Sequence, residues 1–69
     1  MTEKNYTHKI VMFDVNSAVR RARFTDDESA FDTRQLIMKG RNLIVDDAGE
    51  MFIINNMVKI NAVEVIEND

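Results

Sequence analysis

Three arginines fall within four positions, Arg20, Arg21 and Arg23, and Asp26, Asp27, Glu28 and Asp32 follow them in the stretch SAVRRARFTDDESAF. Guanidinium groups at this density can grip phosphate oxygens or carboxylates, in each case through two parallel hydrogen bonds. As a phosphate grip, the three would be joined by Lys39 and Arg41, and a two-stranded ribbon carrying them could enter a nucleic-acid groove. As a protein-recognition edge, Arg20, Arg21 and Arg23 would face Asp26, Asp27 and Glu28 of the same or a neighbouring chain. Such exposed pairs give orientation more than energy, about 0–1 kcal/mol each. The acidic total, a formal charge of −3, and the carboxylates close downstream favour the second reading.

Other chemistries find little support. The chain has no cysteine, and His8 is its one histidine. Nucleophilic catalysis would need a base beside its nucleophile, and thiolate zinc sites and disulfides are excluded. Two isolated glycines, Gly40 and Gly49, form no phosphate-binding loop. Asp26, Asp27, Glu28 and Asp32 make one oxygen-rich group, and Asp46, Asp47 and Glu50 another, but neither has the alternating spacing of a calcium loop. The second is also what a solvated hairpin tip contains. A chain this short has little wall with which to build a substrate cleft. The expectation is therefore no enzymatic activity, no cofactor and no metal.

With 69 residues the sequence makes one small domain spanning 1–69, with residues 1–7 and 67–69 expected to fray. At this size a single core supplies only about 3–5 kcal/mol and often needs supplementing. With disulfides and zinc set aside, oligomerisation gains weight. MTEKNYTHK lacks the apolar run of a secretion signal and no stretch is long enough to span a membrane, so a soluble, cytoplasmic protein without membrane association is expected. Charge is uneven along the chain: residues 1–41 hold eight Lys/Arg against six Asp/Glu, and residues 42–69 hold Lys59 against six acids.

The elements that must position these residues follow from local patterns. HKIVMFDV, 8–15, is rich in β-branched and aromatic residues and predicts a strand, with a turn at Asn16-Ser17. Residues 18–24 are ambiguous. As a strand they set Ala18, Arg20, Ala22 and Phe24 on one face against Val19, Arg21 and Arg23; as a helix capped at Asn16 or Ser17 they leave Phe24 poorly placed. The strand, paired with 8–15, is the favoured reading. DTRQLIMKG predicts a short helix with Asp32 as N-cap, Gln35 completing a capping box and Gly40 closing it, and the acids at 26–28 could extend it upstream. NLIVD and EMFII flank Asp46-Asp47-Ala48-Gly49, which suits a type I turn followed by a left-handed glycine. After a turn at Asn55-Asn56, MVKINAVEVIE predicts a last strand, whose first half could form a separate piece.

The expected fold is α+β: a small antiparallel sheet of about five strands with one short helix, in the order ββ-α-βββ. It raises a problem of coverage. Ile10 and Met12 oppose Val11, Phe13 and Val15; Leu43 and Val45 oppose Ile44; Met51 and Ile53 oppose Phe52 and Ile54. Both faces are apolar, and one short helix covers part of one. Either the sheet curls, or its second face packs on another chain. Together these observations point to a small non-enzymatic protein-binding module, a dimeric regulatory or accessory protein whose partner is another protein. The alternative is a nucleic-acid binder using Arg20, Arg21, Arg23, Lys39 and Arg41. The four phenylalanines, Phe13, Phe24, Phe31 and Phe52, are expected in the core.

Overall fold

The computed structural model describes residues 5–67. β1 (His8–Asp14) and β2 (Val19–Phe24) form an antiparallel hairpin, so the ambiguous arginine stretch is a strand. Pairing Ile10 with Ala22 and His8 with Phe24 puts Ile10, Met12, Ala22 and Phe24 on one face. A helix would have scattered them, and this burial decides between the two conformations.

The turn between them is built by Asp14. The Ser17 amide donates to the Asp14 carbonyl at 2.9 Å, and Asp14 Oδ1 accepts from the amides of Asn16 and Ala18, both at 2.9 Å. Ser17 closes the turn with φ +67°, a left-handed conformation that L-residues avoid.

α1 (Asp27–Met38) starts earlier than the expected cap at Asp32. Its N-cap is Asp26, whose carboxylate accepts the Ser29 amide at 2.8 Å. Asp27 and Glu28 then occupy the first turn, where the positive end of the helix dipole favours them. Asp32 lies mid-helix and exposed. At the other end Gly40 has φ +95°, with Gly40 N donating to Ile37 O and Arg41 N to Leu36 O. This is the Schellman closure that the Lys39-Gly40 pair predicted. The inward stripe is Ala30, Thr33, Arg34 and Ile37, at helical spacing, of which Ala30 and Ile37 are buried.

β3 (Leu43–Val45) and β4 (Met51–Ile53) pair as the expected second hairpin, and a short 3₁₀ turn, Ile54–Asn56, leads into β5 (Met57–Val65). The five antiparallel strands divide between a three-stranded sheet, β2-β1-β5, and the two-stranded β3-β4 hairpin. β5 is continuous from 57 to 65, with irregular register opposite Val11 and near Asp14. The helix and the hairpin pack on one face of the sheet. There Ile10, Met12, Ala22 and Phe24 meet Ala30, Ile37, Ile44 and Phe52, flanked by Ile54, Met57, Ile60 and Val63. Phe24 and Phe52 are thus core residues, whereas Phe13 is half-buried and Phe31 exposed. Phe31 adjoins Ala30 but points away from the Ala30–Ile37 stripe.

Candidate interaction surfaces

Even-numbered residues of β2 face the core side and odd-numbered ones the open side, so Arg20 leans away from Arg21 and Arg23, yet all three border one open depression of about 330 Å³ at the β2 edge with Val19 and Glu50. Arg20 Nε lies 3.7 Å from Asp14 Oδ2, over the end of the core face. Arg21 and Arg23 project from the uncovered sheet face, and the Arg23 guanidinium sits 5.2 Å from the centre of the Tyr6 ring. Among the described residues none of the three pairs with Asp26, Asp27, Glu28 or Asp32, as the recognition-edge reading had envisaged within one chain. Asp26 is occupied in capping α1, and Asp27 and Glu28 belong to its first turn.

Lys39 and Arg41 follow α1, and Arg41 lines a depression of about 260 Å³ with Leu36 and Leu43 rather than joining the β2 arginines. The cations that do share the open face with Arg21 and Arg23 are Lys9, across the ladder from Arg23, and Lys59, across from Phe13. Lys59 Nζ stands 5.7 Å from the centre of the Phe13 ring. This quartet escapes a linear reading because strand pairing assembles it from three separate segments. Its signal in the sequence is the odd-position alternation of Lys9, Arg21 and Arg23.

A recurrent turn joins these parts. Asp46 repeats the device of Asp14: its Oδ1 accepts from Ala48 N (3.0 Å) and Glu50 N (2.8 Å), and Gly49 N donates to Asp46 O (3.1 Å). Gly49, φ +83°, holds the place that Ser17 holds in the first turn. Asp46 and Asp47 also reach the outer edge of β2. Arg23 N donates to Asp46 Oδ2 at 2.9 Å, Asp47 N donates to Arg23 O at 3.0 Å, and Thr25 N and Oγ1 donate to Asp47 Oδ2 at 2.8 and 3.0 Å. Of the acids that resembled a metal-binding cluster, Asp46 and Asp47 are thus engaged as acceptors that stitch the hairpin tip to the sheet. Among the described residues no three acids or histidines gather as a metal-binding group.

Asp14 carries the clearest electrostatic perturbation. The Ala18 amide first, then the Asn16 amide and the Arg20 guanidinium, hold its carboxyl below the usual value of 3.8, against the opposing effect of burial. With Arg20 it borders an open cleft of about 300 Å³ between the first turn and β4. His8, the only histidine, has Nδ1 2.8 Å from Thr7 Oγ1, which in turn donates to Thr25 O.

The outer face of the β3-β4 hairpin groups four exposed apolar residues. Ile44 and Phe52 point inward as a cross-strand pair, so Leu43↔Ile53 and Val45↔Met51 both point outward. They remain 45, 41, 53 and 66% exposed respectively. Leu36 of α1 lies beside Leu43 and Val45 across one depression, and Val15 lies across the cleft from Met51 and Ile53. Among the described residues no helix is long and apolar enough to cross a membrane. No family model, curated protein or solved structure matches the chain.

Proposed function

We propose that this protein is a non-enzymatic protein-binding module that docks a protein partner on the outer face of the β3-β4 hairpin. The observation behind this reading is that both outward cross-strand pairs of the hairpin, Leu43↔Ile53 and Val45↔Met51, are apolar and exposed. A hairpin with one solvated face ordinarily carries polar residues there, and a contiguous apolar patch with polar surroundings is the usual mark of an interaction surface. Leu36 and Val15 extend the patch on either side. Its core would supply the affinity, while Arg41 at its rim would orient a carboxylate. A regulatory or accessory role fits a chain that contributes a surface rather than a reaction.

A photo-crosslinking residue placed at Met51 tests this in cells, with one at Asp32, on the exposed side of α1, as control. The expected result is a discrete protein adduct from position 51 that disappears when Val45→Ser and Ile53→Ser are added. Adducts of equal yield and identity from both positions would overturn the reading.

One observation favours a second reading: Lys9, Arg21, Arg23 and Lys59 share the open sheet face with Tyr6 and Phe13. Basic groups around aromatic rings on a sheet are the elements of a single-strand nucleic-acid platform. Here, however, both rings are already covered by cations of the same chain. Anisotropy titrations with single-stranded oligonucleotides distinguish the two readings. Phosphate binding must weaken steeply with salt, and Arg21→Ala with Arg23→Ala must weaken it for all sequences alike.

A further inference from the structure

The three-stranded sheet ends in two edges of different character. On the β2 edge, Arg23 and Thr25 already have their outward backbone groups taken by Asp46 and Asp47. Antiparallel pairing of this edge with its own copy would also set the arginine row against itself, and like charges directly opposite are destabilising. The β5 edge is nine residues long, and among the described residues no strand pairs with its outer side. A long unpaired edge is a template for another strand. Val58 and Val65 stand on it 68 and 65% exposed.

Backbone parity states which groups β5 offers outward. Asp14 N bonds Ala18 O, so even-numbered residues of β1 turn their backbone groups toward β2 and odd-numbered ones toward β5. Val15 N donating to Asn56 O and Ile66 N donating to Thr7 O agree with this. Lys59 and Glu64, partners of Phe13 and Lys9, therefore point their backbone groups inward, whereas Ile60 and Val63, partners of Met12 and Ile10, point theirs outward.

We infer that β5 is a self-complementary edge, and that a second copy of this chain adds to it as an antiparallel strand about a two-fold axis between Asn61 and Ala62. In that register the outward groups of Ile60 meet those of Val63 of the second copy. Lys59 stands opposite Glu64 on the open face. Symmetry makes this pair twice. The two charges of the strand, both on the open face, thereby neutralise. A slip of one residue in either direction sets Lys59 against Val63 or Val65 and Glu64 against Val58 or Ile60, and it also mismatches the backbone parity. One register alone satisfies charge and hydrogen bonding together. The product is a continuous six-stranded sheet, β2-β1-β5-β5-β1-β2, with the helices on the same side. This surface is separate from the hairpin face proposed above.

Charge reversal tests the inference, because each single variant creates two like-charge pairs whereas a mixed dimer of the two variants creates none. Sedimentation equilibrium of the wild-type chain should show a dimer. Lys59→Glu and Glu64→Lys, each confirmed as folded by circular dichroism, should each dimerise about tenfold more weakly or worse. An equimolar mixture of the two should recover wild-type strength, with native mass spectrometry showing one copy of each. A wild-type chain that stays monomeric to millimolar concentration would overturn the inference. So would a dimer indifferent to both reversals, or a mixture no stronger than its components. A dimer abolished by Val45→Ser with Met51→Ser, yet indifferent to the charges, would place the second copy on the hairpin face instead and likewise overturn it.

Discussion

Asp14 and Asp46 perform the same local task, and the difference between their turns lies in one position. Each carboxylate accepts two amides of its own turn, but the left-handed residue that follows is Gly49 in one and Ser17 in the other. A side chain at φ +67° costs roughly 1–2 kcal/mol, partly offset in a serine-to-glycine exchange by glycine's greater unfolded-state freedom. Ser17→Gly should therefore stabilise the protein by about 0.5–1 kcal/mol, read as a rise in the urea midpoint at unchanged slope. Asp14 adds a pH dependence. Its carboxyl is held below its usual value in the folded state, so its contribution is complete above the unfolded value and is lost as pH falls through the folded one. Asp14→Asn keeps an acceptor oxygen but removes the charge that faces Arg20 and the two amides. The variant should melt below wild type at pH 7, and the gap should close as pH falls below about 4. A gap that stayed constant from pH 7 to pH 3 would show that shape, and not charge, is what the turn requires.

At the scale of elements, legibility followed how local the determining contacts were. The second hairpin was readable because Asp46-Asp47-Ala48-Gly49 carries its glycine where the turn needs one, and the helix end was readable because Gly40 follows Lys39. The first turn was harder, since serine is seldom the left-handed residue. The helix start illustrates a competition: Asp32 with Gln35 satisfies the capping-box pattern, whereas Asp26, with Ser29 three residues on, offers a capping carboxylate without the reciprocal Glu or Gln. Burial decides between them, because Ala30 and Ile37 must share one stripe over the sheet, and a helix beginning at 32 would forgo Ala30. Asp26→Ala should cost about 1 kcal/mol and lower helicity, whereas Asp32→Ala, at an exposed mid-helix position, should be neutral or slightly stabilising. Equal losses in a thermal-melt comparison would contradict this placement of the cap. The stitching of Asp46 and Asp47 to β2, and the arrival of Lys59 beside Lys9, Arg21 and Arg23, were not legible. Both depend on partners more than twenty residues away, which no spacing rule along the chain encodes.

For the whole molecule, the coverage problem posed by two apolar faces has a divided solution. The hairpin folds beside the helix onto the Ile10, Met12, Ala22 and Phe24 face, leaving Val11 and Phe13 half-buried beneath Lys59 and the open-face arginines. The long stems of such side chains shield apolar surface while their charges stay in water. What keeps the hairpin in place, besides Ile44 and Phe52, is the contact of Asp46 and Asp47 with the β2 edge. Asp46→Ala removes the acceptor for three amides, those of Arg23, Ala48 and Glu50. Losing acceptors for buried or half-buried donors costs about 1–3 kcal/mol, and the loss should not be uniform. Hydrogen exchange should quicken most at Arg23, Ala48, Glu50 and the β3-β4 amides, while the β1-β5 ladder keeps its protection until global unfolding. Uniform quickening would mean that hairpin and sheet open as one cooperative unit, so that the outer hairpin face is presented only by the fully folded chain. Selective quickening would mean that the apolar hairpin can lift from the sheet on its own, giving a partner access to Ile44 and Phe52 as well as to the four residues already exposed.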